Sequence, residues 1–80
     1  MVRLTRMDWS RCSAVDRIPG KLGGKWCFRG TRVLVASLFE NLNRGVTIDE
    51  FLEWFPSVTR AQVHEVLTFA ASSLEEPAVA

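Results

Sequence analysis

Two six-residue phrases near the middle of the chain share one pattern, and that pattern sets where two helices begin. Residues 46–51 read VTIDEF and residues 58–63 read VTRAQV. In each phrase an apolar residue precedes Thr, and Glu or Gln stands three positions after that Thr. This is the signature of a capping box with a hydrophobic staple. The Thr hydroxyl accepts a hydrogen bond from the backbone amide of the Glu or Gln, the Glu or Gln side chain accepts one from the Thr amide, and the flanking apolar pair packs across the helix start. The sequence therefore predicts two helix starts twelve positions apart.

Pro56 lies between the two predicted helix starts and predicts where the earlier of these helices ends, since the residue before a proline avoids the α region. Apolar residues at helical spacing predict three helices in all. The first stripe is Val35, Leu38, Phe39 and Leu42; the second is Ile48, Phe51, Leu52 and Phe55; the third is Val63, Val66, Leu67, Ala70 and Leu74. Gly45 supplies the left-handed stop of the first helix. The last two helices read as a helix–turn–helix.

The N-terminal part predicts a short β ribbon in front of the helices. Residues 9–15 lack helical periodicity and can run extended, and residues 25–29, rich in aromatic side chains and bounded by glycines, read as a second strand. We therefore expect a flexible basic N-terminus over residues 1–8, one ribbon-plus-trihelical domain over residues 9–74, and a frayed tail over residues 75–80. The predicted fold is mainly α.

Composition indicates that the chain associates with another chain. A domain of 80 residues buries only about 60% of its unfolded surface, yet 48% of these residues are hydrophobic, including three Trp and five Phe. Residues 1–34 carry eight basic and two acidic side chains, whereas residues 35–80 carry two basic and seven acidic ones. Such polarity favours an anionic partner or a homodimer whose opposite halves meet, although charge matching within one chain accounts for it equally well.

The cysteine pattern predicts a cytoplasmic protein. Cys12 and Cys27 are the two cysteines, the chain starts without an apolar leader, and no run is long enough to span a membrane. We expect both thiols to be reduced and packed. Two Cys and one His without C-x-x-C spacing make a poor metal cluster, so no metal, cofactor or small-molecule substrate is expected.

Catalysis is not expected either. His64 is the one histidine and lies within a predicted helix, whereas a catalytic constellation needs a nucleophile, a base and an orienting group that converge in space. The glycines at positions 20, 23 and 24 lack the spacing of a phosphate-binding loop. The residues therefore predict a protein that is not an enzyme.

Double-stranded DNA is one candidate partner. In a helix–turn–helix the N-terminal residues of the second helix meet base edges, and here these would be Arg60, Gln62 and His64. The preceding helix carries Asp49, Glu50 and Glu53, which would oppose binding to phosphates. DNA binding would then need the basic ribbon, above all Arg29 and Arg32. A plain trihelical packing unit remains the alternative.

A protein partner is the other candidate. Trp54 and Phe69 lie off the apolar stripes of their helices, and Trp26 lies in the ribbon. Large aromatic side chains in such places either fill a wide core or anchor a partner. We take Trp26, Trp54 and Phe69, together with Arg29 and Arg32, as candidate partner-binding residues.

The chain resembles domain-of-unknown-function family 433. The resemblance rests on an Arg-Gly-Thr-Arg segment at residues 29–32, a helix followed by Gly45, a Thr-capped helix ending at Phe55-Pro56, and a final helix rich in Ala and Leu. It covers residues 12–74, and the chain departs from it at Trp26 and Leu34, where many relatives have Pro.

The resemblance implies a ribbon-fronted, homeodomain-like trihelical fold that is often dimeric. It also implies an antitoxin of a toxin–antitoxin system, with a PIN-like nuclease as the toxin. Arg29 and Arg32 then either hydrogen-bond carbonyls within the domain or hold a partner's carboxylates or phosphates. We therefore expect a homodimeric antitoxin that neutralises such a nuclease and binds its own operator DNA. The rival is a stand-alone DNA-binding regulator that uses the third helix.

Overall fold

The computed structural model describes residues 8–20 and 22–74, and three α-helices are its main elements. Helix α1 covers Val35–Asn43, α2 covers Ile48–Trp54 and α3 covers Arg60–Leu74. An antiparallel sheet of two short strands precedes them, with β1 at Val15–Asp16 and β2 at Cys27–Phe28. The predicted mainly α fold with a two-stranded ribbon in front is confirmed. The predicted flexible N-terminus and frayed tail lie outside the described residues, except for Asp8.

Both predicted capping boxes are present, and they start α2 and α3 where expected. At α2, Thr47 Oγ1 accepts from the Glu50 amide at 3.1 Å while Glu50 Oε1 accepts from the Thr47 amide at 2.9 Å. At α3, Thr59 Oγ1 accepts from the Gln62 amide at 3.1 Å, and Gln62 Oε1 accepts from the Thr59 amide at 3.0 Å. Each helix start is therefore stabilised by its own sequence.

The ends of α1 and α2 also follow from local sequence. Gly45 has φ +94°, and its amide donates to the Leu42 carbonyl at 3.0 Å. The Val46 amide donates to the Asn41 carbonyl at 3.0 Å, which completes a Schellman motif. After α2 the chain turns at Pro56, and the Val58 amide donates to the Phe55 carbonyl at 3.0 Å.

The core lies between the ribbon and the three helices. Phe28 from β2, Leu38 from α1 and Phe51 from α2 have no exposed surface, and Val63 and Val66 of α3 close the core. The Phe28 and Phe51 rings lie 6.3 Å apart. Burying each such side chain stabilises the fold by about 1.5–3 kcal/mol. The predicted apolar stripe of α3 is wrong at Leu74, which is 86% exposed because it ends the helix beyond the core.

The ribbon differs from its prediction in two places. Residues 9–11 form a turn of 3₁₀-helix instead of an extended strand, because the Asp8 side chain accepts from the Ser10 amide at 3.2 Å and caps that turn. The second strand is shorter than the predicted 25–29, because residues 25–26 are irregular and a turn begins at Arg29. Cys12 and Cys27 are buried free cysteines, as predicted.

Strand β2 also pairs on its other side with the segment that leads into α1. Cys27 bridges to Leu34, and the Phe28 amide donates to the Val33 carbonyl at 2.9 Å. The Val35 amide donates to the Trp26 carbonyl at 3.0 Å. The first residue of α1 is therefore fixed by the ribbon. Within residues 8–20 and 22–74 no helix combines the length and the apolar character that crossing a bilayer requires.

Candidate protein-binding site

The Arg-Gly-Thr-Arg segment is the turn that joins β2 to the segment before α1. Gly30 has φ +78°, a conformation that favours glycine. Thr31 is 7% exposed; its hydroxyl donates to the Phe28 carbonyl at 2.8 Å and accepts from the Val33 amide at 2.9 Å. The Thr31 amide donates to the same Phe28 carbonyl at 3.0 Å. Gly30 therefore allows the backbone conformation of this turn, and Thr31 stabilises the turn by its hydrogen bonds.

Arg29 binds the backbone of the segment around β1. Its Nε donates to the Ser13 carbonyl at 2.8 Å, and its Nη2 donates to the Val15 carbonyl at 2.9 Å. The sequence left two roles open for Arg29, namely hydrogen bonds to carbonyls within the domain or contacts with a partner. The hydrogen bonds in the structure are of the first kind. Arg32 is exposed and makes no hydrogen bond or ion pair with any other described residue. The Ser13 hydroxyl in turn donates to Glu65 of α3, so the ribbon is also tied to the last helix.

The start of α3 holds the three residues considered as base readers. Gln62 Oε1 accepts in the capping box, and Gln62 Nε2 donates to the Arg29 carbonyl at 3.0 Å, so both ends of this side chain are engaged. Arg60 forms an ion pair with Asp49 of α2, and both side chains are exposed. His64 is exposed one turn after Arg60. Two of the three candidates therefore already have partners within the chain.

An apolar groove of about 370 Å³ lies where the ribbon meets α1. Its lining consists of aromatic and aliphatic side chains with one cation: Trp9, Lys25, Trp26, Leu34, Val35, Ala36 and Phe39. This volume falls in the range of about 300–1,000 Å³ that is typical of ligand-sized sites. The residues arrive from three parts of the chain, so the groove forms only in the folded domain. We call it the ribbon groove.

Trp9 forms one wall of the ribbon groove, and the 3₁₀ turn at Trp9–Arg11 holds it in place. Its ring lies 6.4 Å from that of Phe39 in an edge-to-face arrangement and 4.8 Å from that of Phe69. Phe69 is half-buried by this contact, which leaves only part of its ring accessible to a partner. The Ser10 hydroxyl, which hydrogen-bonds Asp8, lowers the pKa of that carboxyl below its ordinary value of 3.8 and so keeps the cap ionised.

Trp26 forms the other wall, and its face carries a cation. The Arg17 guanidinium lies 4.7 Å from the centroid of the Trp26 ring, within the range of a cation–π contact. Lys25, next to Trp26 in sequence, is exposed at the groove. The ribbon groove therefore combines an apolar floor with a cationic rim formed by Lys25, and Arg17 lies over the Trp26 ring without lining the groove.

Trp54 lies apart from the ribbon groove, near the end of α2, and is 56% exposed. Glu50 and Glu53 of the same helix are exposed beside it. Glu50 stands four positions before Trp54, so the two side chains share one face of the helix. Trp54 is therefore an exposed aromatic side chain in an acidic setting.

Sequence reasoning found Trp26 but missed Trp9 as a site residue, since Trp9 was assigned to an extended strand. The signal that could have found it is Asp8 with Ser10 two residues later, a pair that caps a tight turn. Among residues 8–20 and 22–74, no group of three His, Cys, Asp or Glu side chains comes together as metal ligands do.

Taken together, these elements define a small three-helix domain with a ribbon in front and an apolar groove at their junction. A family model described as "Protein of unknown function (DUF433)" matches residues 15–70, from β1 to the later part of α3. The chain belongs to this family, as the Arg-Gly-Thr-Arg segment and the later Gly and Pro positions predicted. No curated protein and no solved structure matches the chain.

Proposed function

We propose that the chain is the antitoxin of a toxin–antitoxin pair, a non-enzymatic, homodimeric module that binds and neutralises a PIN-like nuclease in the cytoplasm. The observation that carries this proposal is the ribbon groove, which offers aromatic walls and a cationic rim in one place. Family resemblance suggests the partner class.

The chemistry of the groove suits a protein partner with carboxylates around an apolar side chain. Trp9, Trp26 and Leu34 supply the aromatic and aliphatic contacts that dominate interface energies. Lys25 lines the groove and is exposed, and Arg17 lies over the neighbouring Trp26 ring, so both can pair with carboxylates of an acidic partner site. Charge steering of this kind raises the rate of association.

Recognition of DNA by the chain alone is the second candidate, and the exposed His64 and Arg60 at the start of α3 favour it. Against it, Arg60 is paired with Asp49, and Gln62 is engaged at both ends of its side chain. Glu50 and Glu53 on the adjacent helix would repel phosphates. We therefore propose that operator binding is weak until the nuclease partner is bound.

The test is to co-express the chain with the product of the adjacent reading frame and to measure co-purification and inhibition of nuclease activity. Ala36→Arg places a long cation in the ribbon groove and should weaken binding by about tenfold or more. The matched control is Ala71→Arg, at an exposed alanine of α3 that does not line the groove, and it should bind as the wild type does. Failure to recover a nuclease-like partner from that reading frame would refute the antitoxin proposal.

A gel-shift titration across salt concentrations separates the two candidates. A stand-alone regulator binds its operator at physiological salt without a partner, and Arg60→Ala lowers its affinity. The proposed antitoxin binds weakly by itself, and its affinity for DNA rises when the partner is added.

A further inference from the structure

Trp54 is the largest side chain that the described part of the chain leaves mostly exposed. It is 56% exposed, although the same fold buries Phe28 and Phe51 completely. Glu53, the residue before it, is also exposed, whereas the Glu50 carboxylate is engaged in the capping box of the same helix, so α2 presents an indole beside one free carboxylate. An aromatic side chain in this setting is suited to insertion into a site with the opposite charge.

The ribbon groove is such a site. Its floor is apolar, Lys25 is exposed at its edge, and Arg17 lies against the face of Trp26. The groove therefore offers aromatic surface for an indole and one lining cation, Lys25, for a carboxylate beside it. Its volume of about 370 Å³ is large enough to receive one aromatic side chain.

We propose that Trp54 of one copy enters the ribbon groove of a second copy, so that the free protein is a symmetric dimer. In a two-fold dimer each surface is used twice, because the groove of each chain receives α2 of the other. Glu53 then faces Lys25 of the second copy. The acidic and basic halves of the sequence meet across this contact.

Two other segments of the chain could occupy the groove, and both suit it less well. Residues 1–7 carry Arg3 and Arg6 and no acidic residue, so they would meet the cationic rim with like charge. Residues 75–80 carry Glu75 and Glu76, but their apolar side chains are small and cannot fill an aromatic groove. Helix α2 alone brings both a free carboxylate and a large aromatic side chain.

This inference rests on the homodimer of the proposed function and names the contact that forms it. Because the nuclease is proposed to use the same ribbon groove, it would displace α2 of the second copy when it binds. The free protein is then the dimer, and binding of the nuclease and of the second copy is mutually exclusive at that surface.

Sedimentation velocity of the full chain, from low to high micromolar concentration, tests the contact. The wild type should sediment as a dimer, and Trp54→Ala should raise the dissociation constant by about 30-fold or more, as expected for a buried tryptophan anchor. The matched control is Leu74→Ala, which removes another exposed apolar side chain and should leave the dimer intact. Circular dichroism establishes that each variant is folded.

A charge exchange tests the orientation. Glu53→Lys and Lys25→Glu should each weaken the dimer, and the double variant should restore it because the opposite charges meet again. A monomeric wild type at high micromolar concentration would overturn the proposal, and so would a Trp54→Ala variant that dimerises as tightly as the wild type. If truncation after Leu74 abolishes the dimer while Trp54→Ala does not, the C-terminal tail is the occupant and the proposal is wrong. A monomer that still binds the nuclease would overturn this inference and leave only the nuclease binding of the proposed function intact, and a dimer that binds no nuclease would leave this inference intact.

Discussion

The side-chain amide of Gln62 donates a hydrogen bond to the backbone carbonyl of Arg29, 33 positions earlier in the chain, at 3.0 Å. The same side chain accepts from the Thr59 amide, so one residue both caps α3 and holds that helix against the turn at residues 29–32. Both polar ends of this side chain, at a position typical of base readers, are therefore engaged within the domain.

Arg29→Lys should destabilise the domain although it keeps the charge. A lysine has one donor group and cannot match the fork that binds the Ser13 and Val15 carbonyls together. The loss of one hydrogen bond of this kind should lower the free energy of unfolding by about 1 kcal/mol. Urea denaturation at a fixed protein concentration measures it.

Arg32→Lys is the matched control, because Arg32 lies in the same turn and is exposed. It should leave the free energy of unfolding unchanged. If Arg29→Lys and Arg32→Lys lowered the free energy of unfolding equally, the loss could not be assigned to the hydrogen bonds that Arg29 makes with the Ser13 and Val15 carbonyls.

Thr47→Ala and Thr59→Ala should each lower the free energy of unfolding by about 1 kcal/mol, because each removes the hydroxyl of a capping box. Thr68→Ala tests the specificity of this effect, since Thr68 is exposed within α3 and starts no helix. It should be neutral or slightly stabilising, because alanine is the better helix former. Thermal unfolding with no loss in either capping variant would count against the assigned helix starts.

Acid should loosen the turn that carries Trp9. The pKa of Asp8 is lower in the folded chain than its ordinary value of 3.8. The ionised carboxylate that forms the cap is therefore present above pH 3.8, and the cap is lost by protonation as the pH falls through the lowered pKa. The indole resonance of Trp9 in NMR spectra should therefore stay constant from neutral pH to about pH 4 and shift below it. Asp8→Ala should show the shifted position at neutral pH, and a resonance that does not respond to this substitution would exclude the cap as its cause.

The thermal midpoint should rise with protein concentration, as mass action requires of a dimer. Differential scanning fluorimetry over about a hundredfold range of concentration should show a shift of several degrees in the wild type. Trp54→Ala should show little dependence. A midpoint that is constant in the wild type would argue against self-association.

Local signals in the sequence predicted the helices, and long-range contacts decided the rest. The starts at Thr47 and Thr59 and the stop at Gly45 depend on residues no more than a few positions away, so the pattern sufficed for them. The 3₁₀ turn at Trp9–Arg11 forms because the Asp8 side chain caps it. Such a bond between a side chain and the nearby backbone is not visible in the hydrophobic periodicity.

The ribbon groove could not be predicted in the same way. Trp9, Trp26 and Phe39 are separated in sequence and meet only in the folded domain, where Cys27 pairs with Leu34 and Trp9 packs against Phe39. The roles of Arg29 and Gln62 likewise depend on distant backbone groups. Arg29 donates to the Val15 carbonyl, and Gln62 donates to the Arg29 carbonyl. Trp54 is exposed, in keeping with its place off the apolar stripe of α2. Phe69 is also off the stripe of its helix, but it contacts Trp9, and the sequence pattern did not predict this contact.

The bond from the Ser13 hydroxyl to Glu65 has a consequence for how the molecule opens. Strands of two residues have almost no persistence of their own, so β1 and β2 stay closed only while α3 remains docked on them. Their amide hydrogens should therefore exchange with deuterium no more slowly than those of the last helix, and the undocking of α3 should label both regions in a single cooperative event.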